Sequence, residues 1–177
     1  MILWTIQHLK AYEEMCITGT LRADNKYSSI DDNFEKAYRW MSERMEEKIG
    51  PAPSGVKFPV WAWYQWEGKR KRPDMRSHGR WCEKGTPIVL LTIDVPNDHI
   101  LLSDFNYWHC VLNDCELIVP YSDQVSYSEK EKRDSWENIF DITCSFDKEK
   151  HEKLSTQATL WEIKKEWVNK VEYFISR

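Results

Sequence analysis

The sequence lacks the short motifs that mark the best-known enzyme sites. It contains no glycine-rich phosphate loop, no nucleophile elbow, no His-Glu-x-x-His pair and no zinc-knuckle spacing. Each of these sites needs particular residues at fixed spacing, so their absence argues against the corresponding chemistry. No metal site is predicted.

Paired cysteines, a signal peptide and long apolar runs are missing as well. The cysteines are odd in number and show no Cys-x-x-Cys spacing, which predicts free thiols at Cys16, Cys82, Cys110, Cys115 and Cys144. The start of the chain does not combine a basic stretch, an apolar run and a small-residue cleavage site. No apolar run reaches the ~20 residues of a membrane helix. These absences predict a protein of the reducing cytoplasm with no membrane partner.

A large excess of charge of one sign is also lacking. The formal net charge of −4 is small and mixed in sign, which argues against a strongly electrostatic nucleic-acid binder. The length of 177 residues predicts a single domain over residues 1–177. Tryptophan, in contrast, is abundant, with ten residues. Each aromatic side chain buries about 150–250 Å², so the surplus is available to line a binding site.

The N-terminal part of the chain shows helical periodicity. Residues 2–6 are an apolar run typical of a strand, and a helix follows it and ends near Gly19. A second helix is predicted over residues 31–49, capped by Asp31 or Asp32. Its apolar stripe comprises Phe34, Ala37, Tyr38, Met41 and Met45.

The middle of the chain is rich in strand formers. Strands are predicted over residues 58–66, 87–95, 100–105, 139–142 and 158–163, with the third as the antiparallel neighbour of the second. A long basic loop is predicted over residues 68–85. Residues 107–113 fit either a short helix or a strand.

The end of the chain again shows apolar residues at helical spacing, which predicts a closing amphipathic helix that contains Trp167, Val168, Val171, Phe174 and Ile175. Strands flanked by helices indicate the α+β class. The predicted fold is therefore a single α+β domain with a mostly antiparallel sheet, N-terminal helices and a C-terminal amphipathic helix.

Three groups of residues are candidates for chemistry. In the first, Asp104 could orient the imidazole of His109 and raise its basicity, which is how a general base is prepared. The alternative is that Asp104 caps the next turn and that His109 is a half-buried histidine with its hydrogen bonds satisfied.

The second group combines aromatic and basic residues. Alternation along a strand places Trp61 and Trp63 on one face, and the basic loop supplies Arg72 and Arg76. Indole faces beside guanidinium groups can hold a nucleobase by stacking and a phosphate by paired hydrogen bonds. The alternative is that both tryptophans are core residues and that the arginines are solvated.

The third candidate is Glu162, a carboxylate in an otherwise apolar late strand. Strand alternation also permits it to face solvent, in which case it needs no functional explanation.

Several segments together resemble an uncharacterised bacterial family of domains of unknown function. They are Leu-Trp-Thr-Ile-Gln from residue 3, Ala-Tyr-Arg-Trp-Met from 37, Pro-Val-Trp-Ala-Trp from 59, Leu-Leu-Ser-Asp-Phe from 101 with Trp-His-Cys-Val-Leu-Asn from 108, and Gln-Ala-Thr-Leu-Trp-Glu-Ile from 157. The resemblance covers nearly the whole chain, and it implies no activity.

A fainter resemblance, at the level of fold, is to the ADP-ribosyltransferases. These enzymes begin with a strand that ends in His-x-Thr or Arg, where this chain has Trp4 and Thr5, and Gly19-Thr20-Leu21 follows the family's helix stop. They place a catalytic glutamate on a late strand, which the resemblance assigns to Glu162. This sequence departs from the pattern at Trp4, and Gln157 is too far from Glu162 for the family's usual Gln-x-Glu pair.

The preferred hypothesis is a nucleotide-binding domain that transfers ADP-ribose from NAD. Trp4, Thr5 and one of the two strand tryptophans would contact the nucleotide, Arg72 or Arg76 would hold phosphates, and Glu162 or Asp104 would stabilise positive charge on the ribose. The alternative is a non-enzymatic module that binds a protein or single-stranded RNA through exposed tryptophans and the basic loop. A further alternative is an accessory protein of a phage or mobile element that acts by sequestration.

Overall fold

The computed structural model describes residues 1–23, 32–78, 82–117, 127–143 and 155–177. Its strands are β1 (Ile2–His8), β2 (Thr20–Leu21), β3 (Val60–Gln65), β4 (Pro87–Asp94), β5 (Leu101–Asp104), β6 (Thr156–Leu160), β7 (Ile163–Lys164) and β8 (Val168–Ile175). Its helices are α1 (Leu9–Thr18), α2 (Glu35–Ile49), α3 (Met75–His78), α4 (Phe105–Leu112) and α5 (Glu129–Ser135). Short 3-10 turns lie at Asp32–Phe34, Asn97–His99, Trp136–Phe140 and Lys165–Trp167.

One six-stranded sheet organises the molecule. Its strand order is β5-β6-β3-β1-β4-β8, and β2 pairs with β7 in a small second sheet. Every pairing is antiparallel. This confirms the predicted α+β class with a mostly antiparallel sheet.

The first face of the large sheet packs against α1. Alternate residues of the strands point to this face, and they form one core cluster with Met15 of α1, including Leu3, Val60, Ala62, Leu91 and Ala158. The helix ends as predicted at Gly19, whose φ of 86° is left-handed and whose N–H donates to the Met15 carbonyl oxygen at 2.8 Å.

The second face of the sheet is covered by α2, α4 and the turn Trp136–Phe140. Ala37, Met41 and Met45 of α2 are buried there beside Trp108 and Val111 of α4, which confirms the predicted stripe as a packing surface. Further along the same face, a separate cluster comprises Met75, Ile88 and Leu90 with the partly buried Trp4, Ile6, Cys82 and Phe174. Residues of both clusters line the site described below.

The predicted closing helix is wrong, because residues Val168–Ile175 form strand β8. This strand pairs with β4, and its register shifts so that Thr92 lies opposite Lys170 but Ile93 lies opposite Val168. The extra residue places Val168 and Val171 three positions apart, and both pack against the α1 face of the sheet. The β-bulge thus reproduces the spacing that indicated a helix.

Two expectations about strands are also wrong. Residues 139–142 are not a strand, since the chain there belongs to the turn Trp136–Phe140 and the residues after it. Strand β5 forms but does not neighbour β4; it pairs with β6 at the far edge of the sheet. Both sides of β4 are already taken by β1 and β8, so no edge remains for β5.

The ends of several elements differ from the predictions. Helix α2 begins at Glu35 after a 3-10 turn, and its N-cap is Phe34, which makes no side-chain cap hydrogen bond, so the N-cap position is not the predicted one. Asp31 lies outside the described residues. The ambiguous segment around Trp108 is helix α4, and the basic loop contains the short helix α3.

Thiols and helix lengths agree with a chain without cross-links or membrane spans in its described part. Cys16, Cys82, Cys110 and Cys115 are free, while Cys144 lies outside the described residues. None of the helices in the described ranges has the length and apolar character needed to cross a bilayer.

Candidate functional site

A cavity of about 340 Å³ lies beside β1, β3 and β6, and its lining reaches both faces of the sheet, from Ala11 of α1 to Trp108 of α4. Strands β1, β3 and β6 form its floor, and α2 and α4 contribute one wall. Its described lining is rich in rings and amides, including Gln7, Tyr38, Trp61, Trp63, Phe105, Trp108, His109 and Gln157. We call this space the tryptophan cavity.

Two groups of aromatic rings meet at the tryptophan cavity. In one, Trp61 of β3 lies 4.8 Å from Trp108 of α4, measured between ring centroids, and Tyr38 of α2 packs edge-on against both. In the other, Trp63 lies 4.9 Å from Phe105, whose ring in turn contacts His109 at 4.5 Å. The predicted alternation of β3 is confirmed, because Val60 and Ala62 belong to the α1-face cluster while Trp61 and Trp63 contact rings of α4.

A chain of hydrogen bonds fixes the floor of the cavity. The Gln7 side-chain amide donates to Thr5 Oγ1 at 2.7 Å, and the Thr5 hydroxyl donates to the Trp61 carbonyl oxygen at 2.7 Å. The hydroxyl proton of Thr5 is therefore used in a hydrogen bond within the protein. Thr5 lines the cavity, as predicted for a binding residue, but its bonds serve to hold β1 against β3 at Trp61.

Two buried polar atoms beside the cavity have no hydrogen-bond partner within the described chain. They are Nε1 of Trp61 and Oε1 of Gln157. A buried donor or acceptor without a partner costs about 1–3 kcal/mol, so such atoms need an explanation. Trp61 and Gln157 are both lining residues of the cavity.

An ion pair lies at the rim of the tryptophan cavity. Nε and Nη2 of Arg22, a lining residue, donate to the same oxygen, Oε2 of Glu162, at 3.0 and 2.9 Å. Glu162 itself is not among the described lining residues. Glu162, the predicted catalytic residue, is therefore connected to the cavity through its ion pair with Arg22.

Asp104 and His109 do not form the acid–base pair that the sequence suggested. Asp104 is 2% exposed and caps α4, accepting a hydrogen bond from the Tyr107 N–H at 2.9 Å. Burial raises the pKa of its carboxyl, against the lowering effect of the backbone N–H groups of Tyr107 and Asn106. His109 lines the cavity, and its Nδ1 lies 2.8 Å from the Phe105 carbonyl oxygen.

The basic residues of the prediction lie elsewhere. Arg72 and Arg76 line a second, shallow cavity of about 1130 Å³, at the ends of β4 and β8. Arg76 is 83% exposed and pairs with Asp74 at 2.7 Å, while Arg72 lies 3.7 Å from Glu172. Trp4 belongs to the cluster of Ile88 and Leu90, beneath the guanidinium of Arg70. Arg72 and Arg76 are therefore not brought together with Trp61 and Trp63, whereas Trp4 lies directly opposite Trp63 in the β1–β3 pair but is not among the described residues that line the tryptophan cavity.

Sequence reasoning did not select Gln157 and Arg22 for the site. A signal for Gln157 existed, because alternation places it on the same face of β6 as Thr159, and a glutamine in a buried strand needs polar partners. Arg22 carried no local signal. It meets Glu162 because β2 pairs with β7 in the register that sets Leu21 opposite Ile163.

Comparison with known proteins identifies a family. No curated protein matches the sequence. The model of a family described as a domain of unknown function, DUF3841, matches residues 2–132, which include β1, β3, α2 and α4 of the cavity, whereas Gln157 and Glu162 lie beyond the matched range. Since the match covers more than half of the chain, this protein belongs to the DUF3841 family.

Proposed function

We propose that the tryptophan cavity binds NAD, with the nicotinamide ring among the aromatic side chains. The observation that carries this proposal is that two buried polar atoms, Trp61 Nε1 and Gln157 Oε1, have no partner among the described residues and belong to side chains that line a cavity walled by rings. A carboxamide has one carbonyl acceptor and an amino donor. It therefore complements an indole N–H and an amide oxygen together.

The walls suit a flat heteroaromatic group. Trp61, Trp108 and Phe105 provide ring faces and edges within one cavity, and stacking on such rings contributes about 1–3 kcal/mol per base. The alternative of a module that binds through exposed tryptophans does not suit Trp63, which is 4% exposed. The rings favour a small ligand that enters the cavity.

The reaction that we propose for the bound nucleotide is ADP-ribosyl transfer. The bond between nicotinamide and C1′ of the ribose breaks, nicotinamide leaves, and an acceptor nucleophile bonds to C1′ and loses its proton. Glu162 supports this choice, because its ion pair with Arg22 holds a carboxylate at the cavity rim. A carboxylate stabilises the positive charge that develops on the ribose.

Ligand binding tests the cavity directly. NAD should quench tryptophan fluorescence, and calorimetry should show weaker binding of nicotinic acid adenine dinucleotide, whose carboxylate has no N–H to offer Gln157. The variant Trp61→Phe keeps a ring but loses Nε1, so it should weaken NAD binding about two- to tenfold, the effect of one neutral hydrogen bond.

The matched control is Trp167→Phe, which changes a buried tryptophan of the α1-face core cluster that is not among the described lining residues. It should leave NAD affinity unchanged. Absence of NAD binding to the wild-type protein, or equal weakening by both variants, would refute the proposed site.

A further inference from the structure

The position of Arg22 follows from the small second sheet. Strand β2 ends at Leu21, which lies opposite Ile163 of β7, so Arg22 and Glu162 are the next residues of the two strands on the same side. This register brings the guanidinium to the cavity rim and aligns it with the carboxylate. The pair is therefore held by backbone pairing.

Arg22 is also the sole permanent cation among the described residues that line the tryptophan cavity, and none of those residues is a carboxylate. A dinucleotide that places its base in this cavity must carry two phosphates past the rim. Arginine is well suited to phosphate because its planar donors match two oxygens at once. Arg22 is therefore the cation available to the entering phosphates, and its guanidinium already donates to the Glu162 carboxylate.

We infer that Arg22 is the phosphate-binding residue of the site, and that it binds the nucleotide by exchanging Glu162 for a phosphate. The inference rests on the proposed function. It adds a phosphate subsite, and it couples nucleotide binding to the release of Glu162 from Arg22. The donors Nε and Nη2 both serve Oε2 of Glu162, so a bidentate phosphate needs these same donors. Nucleotide binding then releases the carboxylate at the cavity mouth.

The exposure of the pair permits this exchange. The Arg22 side chain is 45% exposed and that of Glu162 is 18% exposed, so water reaches the guanidinium and weakens the ion pair. A diphosphate carries more charge than one carboxylate and offers several oxygens. Exchange is therefore favourable for a phosphorylated ligand and absent for one without phosphate.

The test compares two ligands across five proteins, one of them a control. NAD and nicotinamide riboside, which has the same base and ribose but no phosphate, are titrated by calorimetry into the wild type, Arg22→Gln, Glu162→Gln and the double variant. Arg22→Gln should weaken NAD about tenfold or more, the loss expected for a charge-assisted pair of hydrogen bonds, and leave nicotinamide riboside unaffected.

The Glu162→Gln variant distinguishes the proposed exchange from an ion pair with only a structural role. Because it frees the guanidinium, it should tighten NAD binding about two- to fivefold, comparable with the small stability of an exposed ion pair. The effect should vanish in the double variant. Arg39→Gln, which removes an exposed arginine paired with Glu35 on α2, is the matched control and should change neither ligand.

Each outcome decides between the two proposals. Equal weakening of both ligands by Arg22→Gln, or weaker NAD binding by Glu162→Gln with an unchanged melting temperature, overturns the exchange while the cavity proposal stands. Failure of both ligands to bind the wild type overturns the cavity proposal and the exchange with it.

Discussion

At the scale of single residues, the side chains of the candidate site divide by what they contact. Thr5 and Gln7 use their hydrogen bonds on each other and on the Trp61 backbone, so they hold the floor in place. Trp61 and Gln157 leave one polar atom each without a partner in the described chain. The first pair therefore belongs to the scaffold, and the second is the pair that we propose binds the ligand.

Glu162 is the residue whose chemical role can be separated from binding. If its carboxylate stabilises the ribose cation, Glu162→Gln should reduce nicotinamide release at least about a hundredfold, as for the loss of one electrostatic contact to a transition state. NAD binding should persist, and the exchange of Glu162 for phosphate predicts that it tightens about two- to fivefold. The measurement is nicotinamide release with a panel of acceptors, with the exposed Glu166→Gln as control.

Two results would contradict the transferase. One is the absence of nicotinamide release by the wild type with every acceptor. The other is a Glu162→Gln variant whose turnover equals that of the wild type.

Asp104 makes a prediction about stability and pH. Its pKa is raised in the folded protein by burial, so the native state holds its proton more tightly than the unfolded state does. The contribution of Asp104 to stability therefore falls as pH rises from the unfolded pKa through the folded pKa. Asp104→Asn keeps an equally good helix cap and removes this titration.

Urea unfolding of both proteins over the acidic range checks this expectation. The stability of Asp104→Asn relative to the wild type should increase with pH across that window and then level off. A difference that is constant with pH would show that the Asp104 carboxyl has the same pKa in both states.

At the scale of elements, α2 is the helix that the sequence described best. Its periodicity placed Ala37, Met41 and Met45 in the core, where the structure buries them. Its start was predicted too early, because a 3-10 turn precedes the helix and the N-cap position falls at Phe34. Periodicity reports the buried face of a helix, whereas its ends depend on the adjoining chain.

Met41 provides the corresponding test. It is 0% exposed, so Met41→Asp should destabilise the protein by about 3–5 kcal/mol, the cost of an unpaired buried charge. Met41→Leu conserves volume and should cost less than about 1.5 kcal/mol. Both are measured by thermal or urea unfolding, and a near-normal melting temperature for Met41→Asp would remove α2 from the core.

Strand β8 shows where element prediction failed and why. The bulge at Asn169 spaces Val168 and Val171 as a helix would, so the local pattern favoured the wrong structure. A bulge is specified by the partner strand β4, which lies far away in the sequence. Local periodicity does not contain that information.

At the scale of the whole molecule, the predicted class was right because it depends on which elements occur. The strand order could not be predicted from the sequence in this way. The neighbours of β5 and the meeting of Arg22 with Glu162 arise from pairings between distant segments. The tandem tryptophans of the site were found because alternation along one strand is local, while Gln157 required the pairing of β3 with β6.

The strand order has a consequence for how the sheet is assembled. Strand β6 lies between β3 and β5, yet it follows both in the chain. During synthesis β5 therefore emerges with no neighbour to pair with, and it waits for a strand that is made much later. Such long-range closure predicts slow folding, with a hydrogen-bonding edge of β3 open to other chains until β6 inserts and completes the cavity floor.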